Sequence, residues 1–572
     1  AADDGGDNVE NVARFAAAAV LAALDRRDAA AATALLRRMA DLPLDLPGVG
    51  LLAYGLANAA LRRIIVAAAE PSGQAAAAAT LAVLPESWLT FPAEALLTAE
   101  ALRRLGREKD VAGSLQRAAN RRQGDAGLLL ALGSAYIQSG DIAAAAGCLH
   151  EACLAALDKF NAFDFAAAED ICRAALAALP GLTVGGLVLG ITLNRGGRPD
   201  EALVFLRQAA VADPLYAEIR RHQGESLLAL GRNEEAAAVF RAGLALDPGN
   251  PEMIAGLGLA GYGRGDGAAA APLLARALRL KSALSAASSA STCLSMRRAA
   301  PDPTIFRRRP APQSRRVLSV SCLNRFGRFA HNLYDYLTVR LYAEKYGLTV
   351  ETPEWAGGLF FDLDDPPMTA PRASIARRHA AFRTEFLAGL EGDVSDPISD
   401  VDVFLGWTLY DVVDKAACRE AVQRWLRPRP IWTPRLAPAA DRLRSLGETV
   451  VAVHIRRTDR AGEAIPPLAA YRQWLAQLWD SRRRPVLFLA TDDPQVRDEF
   501  AAFAPRMLSD LIEPWRGLEH LQDFHLLSQA DAVALSAGGF ARTAAALNPG
   551  DPLVAQPTPA ADGLEPAVLW SN

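Results

Sequence analysis

The sequence predicts a multidomain chain, an all-α helical solenoid followed by an α/β region built of two halves. Three observations lead there. Glycine and proline markers recur every 34 residues, at Gly190, Gly224 and Gly258, at Gly197, Gly231 and Gly265, and at Pro180, Pro214 and Pro248. Beyond residue 316, short β-branched runs alternate with helical ones. Two of those runs stop abruptly in polar clusters, His454 to Asp459 and Thr491 to Pro494.

From about Asn11 to Lys281 the chain is rich in Ala and Leu at helical spacing. The 34-residue period, with Leu-Gly early and a turn Gly seven residues later, resembles tetratricopeptide repeats. The first Gly of each unit lets two helices approach, and the second closes the turn between them. Asp213-Pro214 and Asp247-Pro248 end the units. Helix pairs are readable in Pro199 to Ala212 and Asn233 to Leu246. Gly106 and Gly140 are again 34 apart, but Gly140 to Gly197 spans 57, so an odd helix or degenerate repeat is expected near Asp158 to Asp164. Residues 11–100 are helical without a readable phase. Stacked repeats present a concave face, expected to serve a protein or peptide partner, a spacer role or dimerisation.

Composition limits the function classes. Of 572 residues, 51% are hydrophobic and 22% charged, as in folded proteins rather than disordered ones. A net charge of −4 and a pI near 6.1 argue against nucleic acid as a partner. Cys148, Cys153, Cys172, Cys293, Cys322 and Cys418 form no C-x-x-C pair, which argues against a zinc site and a disulfide framework and fits a reducing compartment. No run of about 18 apolar residues and no basic leader followed by an apolar core is present, so a cytoplasmic protein with no integral membrane segment is expected.

Residues 282–316 carry Pro301, Pro303, Pro310 and Pro312 among Arg297, Arg298, Arg307, Arg308, Arg309, Arg315 and Arg316, and predict an exposed basic linker. Strands are then expected at Val317 to Ser321, Leu348 to Glu351 and Val401 to Leu405, with a helix at Ala330 to Tyr346. The second half repeats the theme with strands Val450 to His454, Val486 to Ala490, Ala532 to Leu535 and Leu553 to Gln556. The expected domains are therefore an array over 1–281, clearest over 183–281, a linker over 282–316, and α/β halves over 317–440 and 441–572 that face each other across a cleft.

The strand ends carry the chemistry, because ligands of open α/β sheets bind at the carboxyl ends of strands. Val450 to Val453 reads as a buried strand leading into His454, Arg456, Arg457 and Asp459. Adjacent guanidinium groups there point to a diphosphate, which they can bind in bidentate geometry. A second strand leads into Asp492 and Asp493, where Asp492 reads equally as a helix N-cap before Pro494. A third leads into Ser536, Gly538 and Gly539, whose backbone N–H groups at a helix start can receive phosphate oxygens.

In order, His454-Ile455-Arg456-Arg457-Thr458-Asp459, Leu489-Ala490-Thr491-Asp492-Asp493-Pro494 and Asp523-Phe524-His525-Leu526-Leu527-Ser528-Gln529-Ala530-Asp531 resemble the three C-terminal motifs of the α1,6-fucosyltransferases, the group that includes bacterial enzymes modifying nodulation factors. The resemblance covers about Thr449 to Pro549. Upstream, Phe326-Gly327-Arg328-Phe329-Ala330-His331-Asn332 is similar to the Gly-Arg-Phe-Gly-Asn-Gln segment of the wider fucosyltransferase superfamily, with Ala330 for the usual Gly and His331 where Asn is expected.

The resemblance implies a GT-B fold of two Rossmann-like halves and an inverting, metal-independent glycosyltransferase. Its donor substrate would be GDP-β-L-fucose, with no cofactor and a glycan or protein acceptor. By matched position, Arg456 would stabilise the departing diphosphate, while His454, Arg457 and Asp459 shape the donor site. Asp523 would contact guanine, and Asp492 and Asp493 would hold the pocket. Arg328, His331 and Asn332 fall on the acceptor side. Glu463 would be the base, at the end of a segment one residue shorter than the family's. The family's hydroxyl residues after the last strand align with Gly538 and Gly539, which leaves Ser536 and backbone amides there. Two other readings stay open: a repeat scaffold whose nucleotide-sugar domain is inactive or sensing, and a transferase for another GDP-sugar.

Overall fold

The structure is a computed structural model, and it describes residues 4–26, 28–39, 47–89, 91–162, 164–300, 302, 306, 316–323, 328–368, 372, 379–403, 415–457 and 465–570. Two compact units can be distinguished, one of residues 1–193 with 201–215 and one of residues 194–200 with 216–572.

The first unit is helical. Its leading helices, Asp4–Asp25, Ala29–Met39, Pro47–Ala68 and Gln74–Leu81, have 22, 11, 22 and 8 residues, and this uneven length is why no phase is readable there. Regular pairing begins with Pro92–Arg104 and Glu108–Arg121, joined by Gly106 at φ +70°. Ala126–Ser139 and Ile142–Asn161 follow, joined by Gly140 at φ +83°. Only glycine enters that left-handed region without strain.

Two helices separate Gly106 from Gly140, but three lie between Gly140 and Gly197: Ile142–Asn161, Phe165–Ala178 and Thr183–Arg195. The odd helix is Phe165–Ala178, capped by Asp164 and buried through Phe165, Ala168 and Cys172. The inter-helix glycine contact has its own rule. A Cβ on Gly133 would lie 2.7 Å from Leu149 Cγ, and one on Gly190 would lie 2.5 Å from Leu206 Cγ, each pairing with the residue sixteen positions on.

In the second unit the same contact recurs. A Cβ on Gly224 would meet Phe240 Cζ at 2.4 Å, and one on Gly258 would meet Leu274 Cγ at 3.0 Å. Gly231 and Gly265 turn with φ +70° and +80°. The helix Asn233–Leu246 coincides with the residues the period assigns to it.

The expected linker is corrected by the structure. Its first part is a helix, Ser285–Ala299, because Ala287, Ala290, Cys293 and Met296 fall at helical spacing and bury one face. Arg297 Nε donates to Glu354 Oε1 at 3.0 Å, and Tyr262 Oη donates to the same oxygen at 2.6 Å. Phe306 is buried and stacks on Trp432 with ring centroids 6.2 Å apart. Of residues 301–316, those other than 302, 306 and 316 lie outside the described residues.

Two sheets follow. In the first, β1 (Val317–Ser319) lies between β2 (Thr349–Glu351) and β3 (Val401–Asp402), all parallel. β1 stops short of Ser321 because the Ser321 N–H and Oγ–H both turn to the Asp402 carboxylate, at 2.9 and 2.5 Å. Residues 404 and 405, expected in β3, lie outside the described residues.

The second sheet is mixed, ordered β5-β4-β6-β7-β8, where β4 is Thr449–Ile455, β5 Pro485–Thr491, β6 Ala532–Ala534, β7 Leu553–Pro557 and β8 Leu564–Pro566. All its pairs are parallel except β7 with β8, the one strand of this sheet the sequence does not signal. One apolar core runs from Cys293 and Met296 through Leu318 and Tyr336 to Val450, Phe488 and Val533. The helix that ends the array thus shares the core of the sheets.

Candidate functional site

β4 is flanked by β5 on one side and β6 on the other, so the chain reverses its direction of winding beside β4. At such a point the connections leave in opposite directions and open a crevice at the carboxyl ends of the strands. A cleft of about 690 Å³ lies at this place, within the size range of about 300–1,000 Å³ of small-molecule sites.

Three strand exits meet in it. β4 delivers His454 and Arg456, β5 delivers Thr491 and Asp492, and the turn after β6 delivers Gly538 and Gly539. The helix Glu519–Leu527 adds Glu519, His520 and Asp523. Across from these, Arg328, His331 and Asn332 come from the start of the helix Phe329–Lys345, and Ser285, Ser288, Ser289 and Thr292 from the helix Ser285–Ala299.

His454 is held on two sides. Its Nδ1 lies 2.5 Å from Ser536 Oγ, and its ring stacks on Phe540 at 5.3 Å and 30°. Ser536 is buried, so it orients the imidazole rather than facing the cleft. Gly538 has φ +105° and precedes the helix Gly539–Ala546, whose first N–H groups open toward the same space.

The two neighbouring carboxylates separate by geometry. Asp492 lines the cleft and accepts the Arg457 backbone N–H at 2.8 Å. Asp493 turns away and caps the 3₁₀ helix Pro494–Phe503 through Gln495 N–H at 3.1 Å. The cap expected at Asp492 is therefore made by Asp493, which is not a cleft residue. Arg457 is exposed and contributes its backbone rather than a lining side chain. Asp459 and Glu463 lie outside the described residues, as do Phe326 and Gly327.

Burial shapes the titration of the site. Asp523 is pushed up to about 7 by desolvation, with the neighbouring Glu519 adding to the rise. His520 is pushed down to about 4 by burial and by Arg328, with Glu519 opposing. Burial also pushes His331 down, with Arg195 contributing. His331 Nε2 lies 3.4 Å from Asp335 Oδ2, and Asp335, buried, is held well above the usual carboxylate range by desolvation.

Several cleft residues escape sequence reasoning. Glu519 and His520 precede Asp523 by four and three positions, which is one helical turn, so extending the motif backward by a turn finds them. Ser285, Ser288, Ser289 and Thr292 sit at i, i+3, i+4 and i+7, a stripe visible in the sequence once the segment is treated as a helix. Trp355 and Phe540 carry no such signal.

The tetratricopeptide repeat family model matches residues 187–251, and the chain carries these repeats. No curated protein sequence matches the chain. Among solved structures, MamA (MSR-1) is similar at 21% identity, covering 33% of this chain and 97% of that one, with a TM-score of 0.21. YrrB, a TPR protein with an unusual peptide-binding site, is similar at 18% identity over 34% of this chain and 88% of its own, with a TM-score of 0.22. NodZ α1,6-fucosyltransferase, soaked with GDP-fucose, is similar at 17% identity over 45% of this chain and 99% of its own, with a TM-score of 0.33. At these scores none of the three transfers a function to this chain.

Proposed function

We propose that the α/β region is an inverting glycosyltransferase of GT-B type that takes a GDP-linked sugar, with fucose the sugar implied by the motifs, and transfers it to a hydroxyl. The observation that supports this is the meeting of Arg456, Asp492, Asp523 and the Gly538-Gly539 turn in one cleft at the strand exits. Arg456 and the N–H groups at Gly539 suit the diphosphate. Asp523 suits the N–H edge of guanine, which a carboxylate accepts in bidentate fashion.

In the reaction the acceptor oxygen attacks the anomeric carbon from the face opposite the diphosphate. The C–O bond to the diphosphate breaks with its electron pair, and the negative charge that builds there is met by Arg456. A base takes the acceptor proton, GDP departs, and the sugar stays on the acceptor oxygen with its anomeric configuration inverted. Glu463 is the base implied by the motifs, and His331, backed by Asp335, is the base favoured by position in the cleft. Burial, with Arg195 contributing, pushes the His331 imidazole down, which favours the neutral form that a proton acceptor needs.

Calorimetry with GDP and GDP-fucose, followed by GDP release in the presence of acceptor pools, tests the proposal. Arg456→Ala is expected to lower turnover by about 100-fold. Arg456→Lys should recover little of it, because an ammonium cannot reproduce the planar fork. Absence of GDP binding, or an Arg456→Ala protein as active as the parent, would sink the reading. Binding of GDP-fucose without turnover would favour a nucleotide-sugar sensor.

A further inference from the structure

The helix Ser285–Ala299 turns Ser285, Ser288, Ser289 and Thr292 into the cleft that holds Arg456 and Asp523. At 1.5 Å rise per residue, this hydroxyl row is about 10 Å long. A second observation concerns Thr292 alone. Buried threonines in helices elsewhere in the chain return their hydroxyls to the carbonyl four residues back: Thr80 to Ala76, Thr98 to Glu94, Thr192 to Val188, Thr338 to Tyr334 and Thr543 to Gly539. Thr292, only 4% exposed, makes no such bond and has no hydrogen-bond partner among the described residues, and it lies on the cleft wall. Ser289, 8% exposed, shares that condition. Neither oxygen is sealed in the core: both open onto the cleft, where a ligand can pair with them.

We infer that this helix face is a binding subsite for a neutral, polyhydroxylated ligand, a saccharide that serves as the acceptor. Naming it the acceptor rests on the transferase reading above, whereas the site itself rests on the helix. A serine or threonine hydroxyl both donates and accepts, as a sugar hydroxyl does, so a row of them pairs with a sugar in either sense. The row carries no formal charge, and the cationic side chains of the cleft, Arg328 and Arg456, come from other elements. An anionic ligand would therefore be drawn to those arginines and leave the row unused. The helix is fixed in place by Arg297 and Tyr262 on Glu354, so the hydroxyls are presented on a rigid element.

The full-length protein is applied, with and without GDP, to an array of neutral and anionic oligosaccharides and to an array of Ser/Thr-containing peptides. Capture of neutral oligosaccharides is expected. Thr292→Val and Ser289→Ala should each reduce it about tenfold or more, with GDP affinity by calorimetry within twofold of the parent. Thermal melting checks the fold of these variants. Ser288→Ala, at a less buried position, provides a second test and should reduce capture in the same direction. Capture of peptides without sugars, no capture of either, or equal capture by parent and variants overturns the inference. Oligosaccharide capture by a protein that does not bind GDP would instead overturn the transferase reading and leave the hydroxyl subsite standing.

Discussion

Ser536 Oγ and His454 Nδ1 stand 2.5 Å apart across the crevice between β4 and β6, so the two strands on which the chain reverses its winding are joined by a side-chain bond at the mouth of the cleft. The bond and the Phe540 ring together fix the imidazole plane at the cleft wall. A neutral hydrogen bond of this kind contributes about 0.5–1.5 kcal/mol. Ser536→Ala is therefore expected to weaken GDP binding roughly 3- to 10-fold without unfolding the sheet. Calorimetry beside a thermal melt separates the two effects, and an unchanged affinity would mean that His454 does not touch the nucleotide.

Asp523 gives the site a pH dependence. Its carboxyl titrates near 7 because burial and Glu519 disfavour its charge. Guanine N–H groups favour the ionised form, so binding should release a proton, and affinity should rise as pH increases through about 7 and level off above it. His520 and His525, both pushed down to about 4 by burial, stay neutral across that window and do not compete for the assignment. GDP titrations from pH 5.5 to 8.5 in two buffers of different ionisation heat measure the proton directly. Asp523→Asn should flatten the profile, and a profile that keeps its slope in this variant removes Asp523 from guanine recognition.

Much of this was legible in the sequence, for reasons that differ by residue. The contact of Gly224 with Phe240 is written in a local period, so spacing alone finds it. His454 and Arg456 stand at the end of a strand that is apolar on both faces, and such a strand announces its carboxyl end. Asp492 and Asp493 are chemically identical neighbours, and only the backbone turn decides which one faces the cleft and which caps a helix. The hydroxyl row of Ser285–Ala299 was hidden by composition, because serine and alanine followed by proline and arginine read as a connector. Its apolar face, Ala287, Ala290, Cys293 and Met296, is made of small or weakly hydrophobic residues that give little contrast with the hydroxyl face.

The identity of the base can be decided by a pair of substitutions. Glu463 is indicated by its place after the first motif, and His331 by its place in the cleft beside Asp335. General base catalysis contributes about 100- to 10,000-fold. Loss of the true base should therefore lower turnover by about that factor while leaving GDP affinity intact. Glu463→Gln and His331→Asn are measured side by side, across pH. If His331 is the base, the parent's acid limb reports its depressed ionisation and disappears in His331→Asn. If both variants retain full turnover, neither assignment stands.

The boundary of the α/β region is a prediction about folding. Cys293 and Met296 are 0% and 1% exposed and belong to the core that contains Leu318, Tyr336 and Phe488. Burying a methionine-sized side chain contributes about 1.5–3 kcal/mol, and Glu354 would lose its bonds to Arg297 and Tyr262 with this helix and Tyr262 gone. A chain beginning at residue 300 thus gives up a sizeable part of the roughly 5–15 kcal/mol that stabilises a domain. It also exposes the apolar wall on which the helix packs. A chain beginning at residue 194 keeps the whole second unit. The longer chain is expected to unfold in one cooperative transition and to bind GDP, and the shorter one to aggregate or bind a hydrophobic dye without a sharp transition. Equal cooperativity in the two would mean that the helix belongs to the array alone, and that the sheets form their core without it.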